Sequence, residues 1–392
     1  MDLQRSHRLS KLPPYLFADL RRKIAARKQR GERIISLGIG DPDHPTPEAV
    51  VERLCSAVGD ESDANRHRYG SDNPVAELSS AVADFYRRRW SVKLSDNQIV
   101  TTMGSKDAIA KLGLGLLNCG DVGIAPVPGY PTYNISHVFA GAVTHQLPLR
   151  ADNNWLPDFQ EIPQEVRRQA KVMWLNYPNN PTTAVAPMEF FERAVEFARE
   201  NGILLVHDAA YTENTYDGYE APSILQVDGA DEVAVEMFSM SKAFNMTGWR
   251  VGAMVGNAEA VDILDAVKDN IDNGTLRAVQ FAAAEALNRA EELREGINAV
   301  YARRRDLVVE RLRKAGWDVQ PPKATIYVWA PVPEHFHGDS GRFAEELLEK
   351  AGVVVTPGRG YGQWGEGYFR ISLTYGDDVL AEAMDRIVNL GL

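Results

Sequence analysis

Cysteine is scarce in this chain. Of its 392 residues two are cysteine, Cys55 and Cys119. Two thiols cannot build a disulfide framework, and no Cys-x-x-Cys pair exists for zinc or redox chemistry. A basic excess is also missing. Lys and Arg number 43 against 54 Asp and Glu, a net charge of −11, whereas a nucleic-acid binder needs cations to neutralise phosphates. No apolar run approaches the roughly 20 residues of a membrane span. Residues 1–8 lack the apolar stretch of a signal peptide. Internal repeats, low-complexity tracts and flexible linkers are absent too. The expectation is a cytoplasmic globular protein with no nucleic-acid or membrane partner.

What is present has ordinary globular composition, 44% hydrophobic and 25% charged. The length suggests two or three domains. Pro13-Pro14 precedes a basic helix running to Arg30, and Ile34-Ile35-Ser36 then forms a short strand ending in the loop Gly38–Pro42. Apolar strands at 98–102, 122–125, 172–175, 203–206 and 233–237 alternate with helical stretches such as 106–117 and 188–200. That alternation predicts an α/β fold whose mostly parallel sheet is covered on both faces. A charged helical stretch at 283–315 leads to strands at 325–329, 353–356 and 369–373 and helices near 341–351 and 378–389. The expected division is a large α/β domain, 46–290, and a smaller α+β domain from 1–45 and 291–392.

The stretch with most chemistry is Ser239-Met240-Ser241-Lys242, followed by Arg250. Hydroxyls and a guanidinium at a strand end can hold a phosphate dianion while an amine reaches a carbonyl beside it. The plain alternative is a strand-exit lysine in solvent. Asp208 follows His207 at the C-terminal end of the strand Ile203-Leu204-Leu205-Val206, where ligands of α/β sheets bind. It could keep a pyridine nitrogen protonated, or simply cap a helix. Tyr211 could reach a ring phenolate, and so could Asn180 in Asn176-Tyr177-Pro178-Asn179-Asn180-Pro181, which is otherwise a turn signal. Gly104-Ser105-Lys106 opens a helix whose N–H groups suit phosphate; Lys106 reads equally as a solvated first-turn lysine. Tyr130, in Pro128-Gly129-Tyr130-Pro131, could stack on a ring or pack a turn. His335 and His337, with Asp339 nearby, could suggest a metal, but a loop without a third close ligand reads as solvated, so no metal site is expected. Gly358-Arg359-Gly360-Tyr361-Gly362 has no βαβ unit to make it a nucleotide loop.

Taken in order, these motifs resemble the class I/II aminotransferases, pyridoxal 5'-phosphate enzymes of fold type I, from the Gly38–Pro42 loop to Arg370. Within that family the likeness is to the LL-diaminopimelate aminotransferases, through phrases such as Pro14-Tyr15-Leu16-Phe17-Ala18, His207-Asp208-Ala209-Ala210-Tyr211 and Asn245-Met246-Thr247-Gly248-Trp249-Arg250. The resemblance implies ping-pong transfer of an amino group to a 2-oxo acid. It implies Lys242 as covalent anchor and proton carrier and Asp208 as partner of the pyridine nitrogen. Asn180 and Tyr211 fall on the phenolate oxygen, and Tyr130 on the ring. Ser105, Lys106, Ser239, Ser241 and Arg250 fall around the phosphate. Tyr69 matches a tyrosine reaching the phosphate from the partner of a homodimer. Arg370 matches the α-carboxylate grip, with Gly40 in the loop assisting it and Asn180 beside it. Arg277 could hold a distal carboxylate, or be an ordinary interface arginine. Tyr15 and Phe17 could cover the cleft, or equally pack in the core.

Two positions depart from the family pattern. Thr183 stands where Asn-Pro-Thr is usually followed by glycine, and Pro74 stands where glycine usually occurs about five residues after the tyrosine. The alternatives left open are a transaminase for alanine, an aromatic or a specialised amino acid, another chemistry of the same cofactor such as a lyase, decarboxylase or oxidase, and a non-enzymatic regulator.

Overall fold

Strands that are apolar along their whole length need cover on both faces, and alternate residues of one such strand serve the two covers. The computed structural model describes residues 3–12, 18–70 and 75–391. Pro13, Pro14, Tyr15, Phe17 and Pro74 lie outside the described residues. The strands are β1 (Ile35–Ser36), β2 (Ile99–Thr102), β3 (Val122–Val127), β4 (Val143–Pro148), β5 (Ala170–Leu175), β6 (Leu204–Asp208), β7 (Ala234–Ser239), β8 (Gly252–Gly256), β9 (Tyr327–Pro331), β10 (Val353–Val354), β11 (Thr356–Pro357) and β12 (Tyr368–Ser372).

The central sheet has the order β2-β8-β7-β6-β5-β3-β4. β8 runs antiparallel to both neighbours, and the pairings from β7 to β4 are parallel. Along β5 the period of two is plain. Val172 and Trp174 pack with the helices Ser105–Leu116 and Thr132–Ala140. Met173 and Leu175 pack with Met188–Asn201 on the other face. The sheet winds one way from β3 to β4 and the other from β5 to β7. The crevice at that reversal, outside the strand ends, is where ligands of such sheets bind. Asn180 and Lys242 follow β5 and β7, Asp208 is the last residue of β6, and Tyr130 follows β3.

A separate apolar cluster joins Ile35 and Leu37 to β9, β12 and the helices Ala290–Lys314 and Asp377–Val388. There β1 pairs in parallel with β10, and β11-β12-β9 is antiparallel.

Several elements differ from the sequence expectation. The stretch 283–315 is two helices, Arg277–Asn288 and Ala290–Lys314, broken at Arg289. The strand expected from 325 begins at Tyr327 because Thr325 adopts φ +75°. The strand 353–356 splits, Val353–Val354 pairing with β1 and Thr356–Pro357 with β12. The helix near 341–351 runs Ser340–Glu346 and ends in a wider π turn, Leu347–Ala351. β4 and β8 were not anticipated. β4 is an edge strand with polar residues along it, and β8 is a short segment bounded by glycines.

Candidate active site

Asp208 forms the floor. It is 4% exposed at the end of β6, and its Oδ2 accepts a 2.8 Å hydrogen bond from the Tyr133 hydroxyl. Its Oδ1 is buried and has no side-chain hydrogen-bond partner among the described residues. No helix follows at once, so the residue caps nothing. Burial raises its carboxyl to about 6, against the opposing hydrogen bond from Tyr133. Below the floor the Tyr133 ring stacks on Trp174 at 5.2 Å. The Trp174 indole N–H donates to His137 Nε2 at 2.8 Å. Since indole only donates, the neutral imidazole carries its proton on Nδ1 and donates to Thr144 Oγ1, whose hydroxyl donates to Asn134 Oδ1. Burial pushes His137 down to about 4, which keeps that ring neutral.

Lys242 enters from the short turn of helix after β7. Its Nζ donates to the Gly40 carbonyl at 2.5 Å. Burial lowers its ammonium from the usual value, and the Arg370 and Arg250 cations push the same way against Tyr327 and Asp41. A lowered ammonium leaves more of the amine in the neutral form, the one that can act as nucleophile or proton acceptor. Arg370, 5% exposed, donates to Asn180 Oδ1 at 2.6 Å and to the Gly38 carbonyl at 2.7 Å. Its Nε is buried without a hydrogen-bond partner among the described residues. Because Asn180 Oδ1 is taken by Arg370, the Asn180 amide NH₂ remains as the donor. Tyr211 is buried, with its hydroxyl 3.1 Å from that of Tyr327. The loop that carries Asn180 is fixed by Asn176, which donates to the Asp208 carbonyl at 2.7 Å and accepts from the Asn180 N–H at 2.8 Å.

An anion-binding pole faces this group. The helix Ser105–Leu116 begins after Gly104, whose φ is +87°. Its first N–H groups have no partner within the helix, and the Ser105 hydroxyl is buried and unpartnered. Arg250 donates to the Met103 and Thr247 carbonyls, each at 2.9 Å, which brings its guanidinium against Gly104. A Cβ at Gly104 would lie 2.8 Å from Arg250 Nη2. Ser239 and Ser241 are buried beside Lys242, Ser239 Oγ accepting from the Ser241 N–H. The Lys106 side chain is exposed. Tyr130 is half-buried, 5.9 Å from the Tyr133 ring.

Two expected residues lie away from this cluster. Tyr69 is 63% exposed. Arg277 is paired with Asp63 at 3.0 Å in the same chain. Thr183 adopts φ +62°, which explains why glycine suits that position and leaves a β-branched residue strained. Asp339 caps the helix Ser340–Glu346, and Gly358 packs against the Gly365 carbonyl. Tyr133, Asn176 and Tyr327 were missed in the sequence.

The orphaned Oδ1 of Asp208 suits a protonated ring nitrogen. The unpartnered Ser105 hydroxyl and bare helix start suit a phosphate, and Arg370 Nε suits a carboxylate. This donor set fits pyridoxal phosphate together with an amino acid.

Comparison with known proteins agrees. Residues 32–387 match the family model described as aminotransferase class I and II. The chain is 48% identical to an LL-diaminopimelate aminotransferase of Moorella thermoacetica, covering 98% of each. It is 49% identical to one from Desulforudis audaxviator, over 99% of this chain and 98% of that one. Among solved structures it resembles apo BacF from Bacillus subtilis, with TM-score 0.94 and 37% identity over 100% of this chain and 99% of that one. A probable N-succinyldiaminopimelate aminotransferase from Thermus thermophilus superposes with TM-score 0.89 at 36% identity, covering 96% and 100%.

Proposed function

The chain belongs to the class I and II aminotransferases, pyridoxal-phosphate-dependent transaminases of fold type I, and on that premise we propose that it moves an amino group from LL-diaminopimelate to 2-oxoglutarate. The names borne by relatives 48% and 49% identical over nearly the whole chain support the donor. The observation that carries the chemistry is a buried lysine after β7 whose Nζ reaches the Gly40 carbonyl, together with an Arg370–Asn180 contact at 2.6 Å and a buried Asp208 oxygen left unpaired among the described residues.

Pyridoxal phosphate, when bound, supplies the aldehyde that takes up the amine and the electron sink that lets an amino-acid Cα–H bond break. Everything else falls to the chain. Asp208 holds the pyridine nitrogen positive and Tyr130 covers the ring. The Asn180 amide and Tyr211 hydroxyl donate to the phenolate oxygen. Ser105, Ser239, Ser241, Arg250 and the N–H groups of Ser105 and Lys106 receive the phosphate. Arg370 grips the α-carboxylate beside the Gly40 backbone, which fixes the direction of the Cα–H bond. Lys242 Nζ would anchor the cofactor and, once freed by the substrate amine, would carry the proton from the amino-acid Cα to the cofactor's former aldehyde carbon on the far side of the nitrogen.

The same reading has the protein act as a cytoplasmic homodimer. Tyr69 reaches the phosphate of the partner's site, and Arg277 serves a distal carboxylate there. Support comes from exposed Tyr69, Ile271 and Leu276, and from the close approach of Gly70 to the Thr275 carbonyl, which joins their segments. No helix among the described residues is long and apolar enough to cross a membrane. The reading also divides the chain into 46–290, and 1–45 with 291–392, in keeping with the separate cluster around β9 and β12.

The test is a half-reaction screen. LL-diaminopimelate should discharge the visible absorbance of the bound cofactor, and 2-oxoglutarate should restore it. Discharge by alanine or an aromatic amino acid alone would overturn the substrate. Steady release of ammonia or uptake of oxygen without an acceptor would overturn the reaction.

A further inference from the structure

Tyr327 has no role in the scheme above, yet it touches two of its parts. β12 pairs with β9 so that Arg370 faces Trp329 and Ser372 faces Tyr327. Arg370 and Tyr327 are therefore diagonal neighbours on one face, a separation that a long side chain and an aromatic ring can bridge. The guanidinium carbon lies 3.9 Å from the Tyr327 ring centroid, at a place where Arg370 is 5% and Tyr327 3% exposed. A cation so desolvated over a ring face is held firmly. The other end of the same ring reaches Tyr211, hydroxyl to hydroxyl, at 3.1 Å. Room for that hydroxyl exists because residue 40 is glycine: a Cβ there would lie 1.9 Å from Tyr327 Oη.

The proton count gives the contact a direction. A tyrosine hydroxyl has one proton to donate. If Tyr211 donates to the phenolate oxygen of the cofactor, the proton between the two hydroxyls belongs to Tyr327. We propose that Tyr327 is a positioning residue with two separable tasks: its ring floors Arg370 for the substrate carboxylate, and its hydroxyl donates to Tyr211 so that the Tyr211 proton points at the cofactor. The inference rests on the roles given above to Arg370 and Tyr211.

The tasks separate in two variants of the holoenzyme. Affinity is read with glutarate, an unreactive dicarboxylate, by calorimetry. The hydroxyl task is read from the pH midpoint of the visible-absorbance transition of the bound cofactor. Tyr327→Phe keeps the ring and should bind glutarate within about twofold of the parent, while the midpoint rises by about half a unit as the donation to Tyr211 is lost. Tyr327→Leu should show the same rise and also bind glutarate about tenfold more weakly. Should the Leu variant fail to fold, Tyr327→Met fills similar volume without a π face and carries the same expectation. Equal glutarate affinity in the Phe and Leu (or Met) variants, or an unmoved midpoint in the Phe variant, overturns the proposal. Arg370→Lys is the control for the premise. If it leaves glutarate affinity unchanged, the reading of Arg370 fails; if it weakens binding while Tyr327→Leu does not, only the role of Tyr327 fails.

Discussion

Asp208 shows at residue scale how a functional group costs stability. Its carboxyl is raised from 3.8 to about 6 in the fold, so the folded state binds a proton more tightly than the unfolded chain. Its contribution therefore becomes less favourable as pH rises from about 4 to 6, by on the order of 3 kcal/mol in total. Asp208→Asn should stabilise the cofactor-free protein at neutral pH, measured by urea unfolding, while abolishing tight cofactor binding. In the parent, cofactor retention should fall as pH drops through about 6, where the acid loses its charge. Tyr133→Phe removes a side-chain donor to that carboxylate and should move this midpoint up by about one pH unit. Thr183 is the opposite case, a strained residue beside the site with φ +62°. Relief of left-handed strain is worth about 1–2 kcal/mol and the added freedom of an unfolded glycine takes back about 0.4–1. Thr183→Gly should thus gain roughly 0.5–1 kcal/mol in the same unfolding experiment; a loss would contradict the strain.

At the scale of elements, the helix start at Ser105 ties fold to binding. Gly104→Ala imposes a side chain at φ +87° and crowds Arg250 Nη2 at 2.8 Å. The expected result is about tenfold weaker cofactor binding with a modest loss of stability, since the guanidinium must leave the phosphate pole. The same scale decides what the sequence could tell. β3, β5, β6 and β7 were legible because buried parallel strands are apolar end to end, and Asp208 and Lys242 were legible because they follow such strands. β4 and β8 were not, because an edge strand is half polar and a short glycine-bounded strand has no pattern of its own. Tyr327 was hidden for a different reason. Its closeness to Arg370 depends on the register of β9 against β12, and nothing within either strand announces that register. Tyr133 depends likewise on which face of the helix Thr132–Ala140 meets the end of β6.

For the whole molecule, the claim is that each active site is built by two chains. Lys242→Ala and Tyr69→Ala variants should each be nearly inactive. After unfolding and refolding together at equal amounts, half of the dimers would be mixed, each with one site holding both Lys242 and Tyr69. Activity should return to about a quarter of the parental level. No recovery from the mixture, with dimers verified by sedimentation, would contradict sharing of the site.

The covalent bond between chain and cofactor admits the most direct measurement. The purified holoenzyme is treated with borohydride to trap any carbonyl–amine link, digested, and its peptides are weighed. The expected result is one modified peptide, with the reduced pyridoxyl phosphate on Lys242. A label on another lysine, or no label on a protein saturated with pyridoxal phosphate, would contradict it.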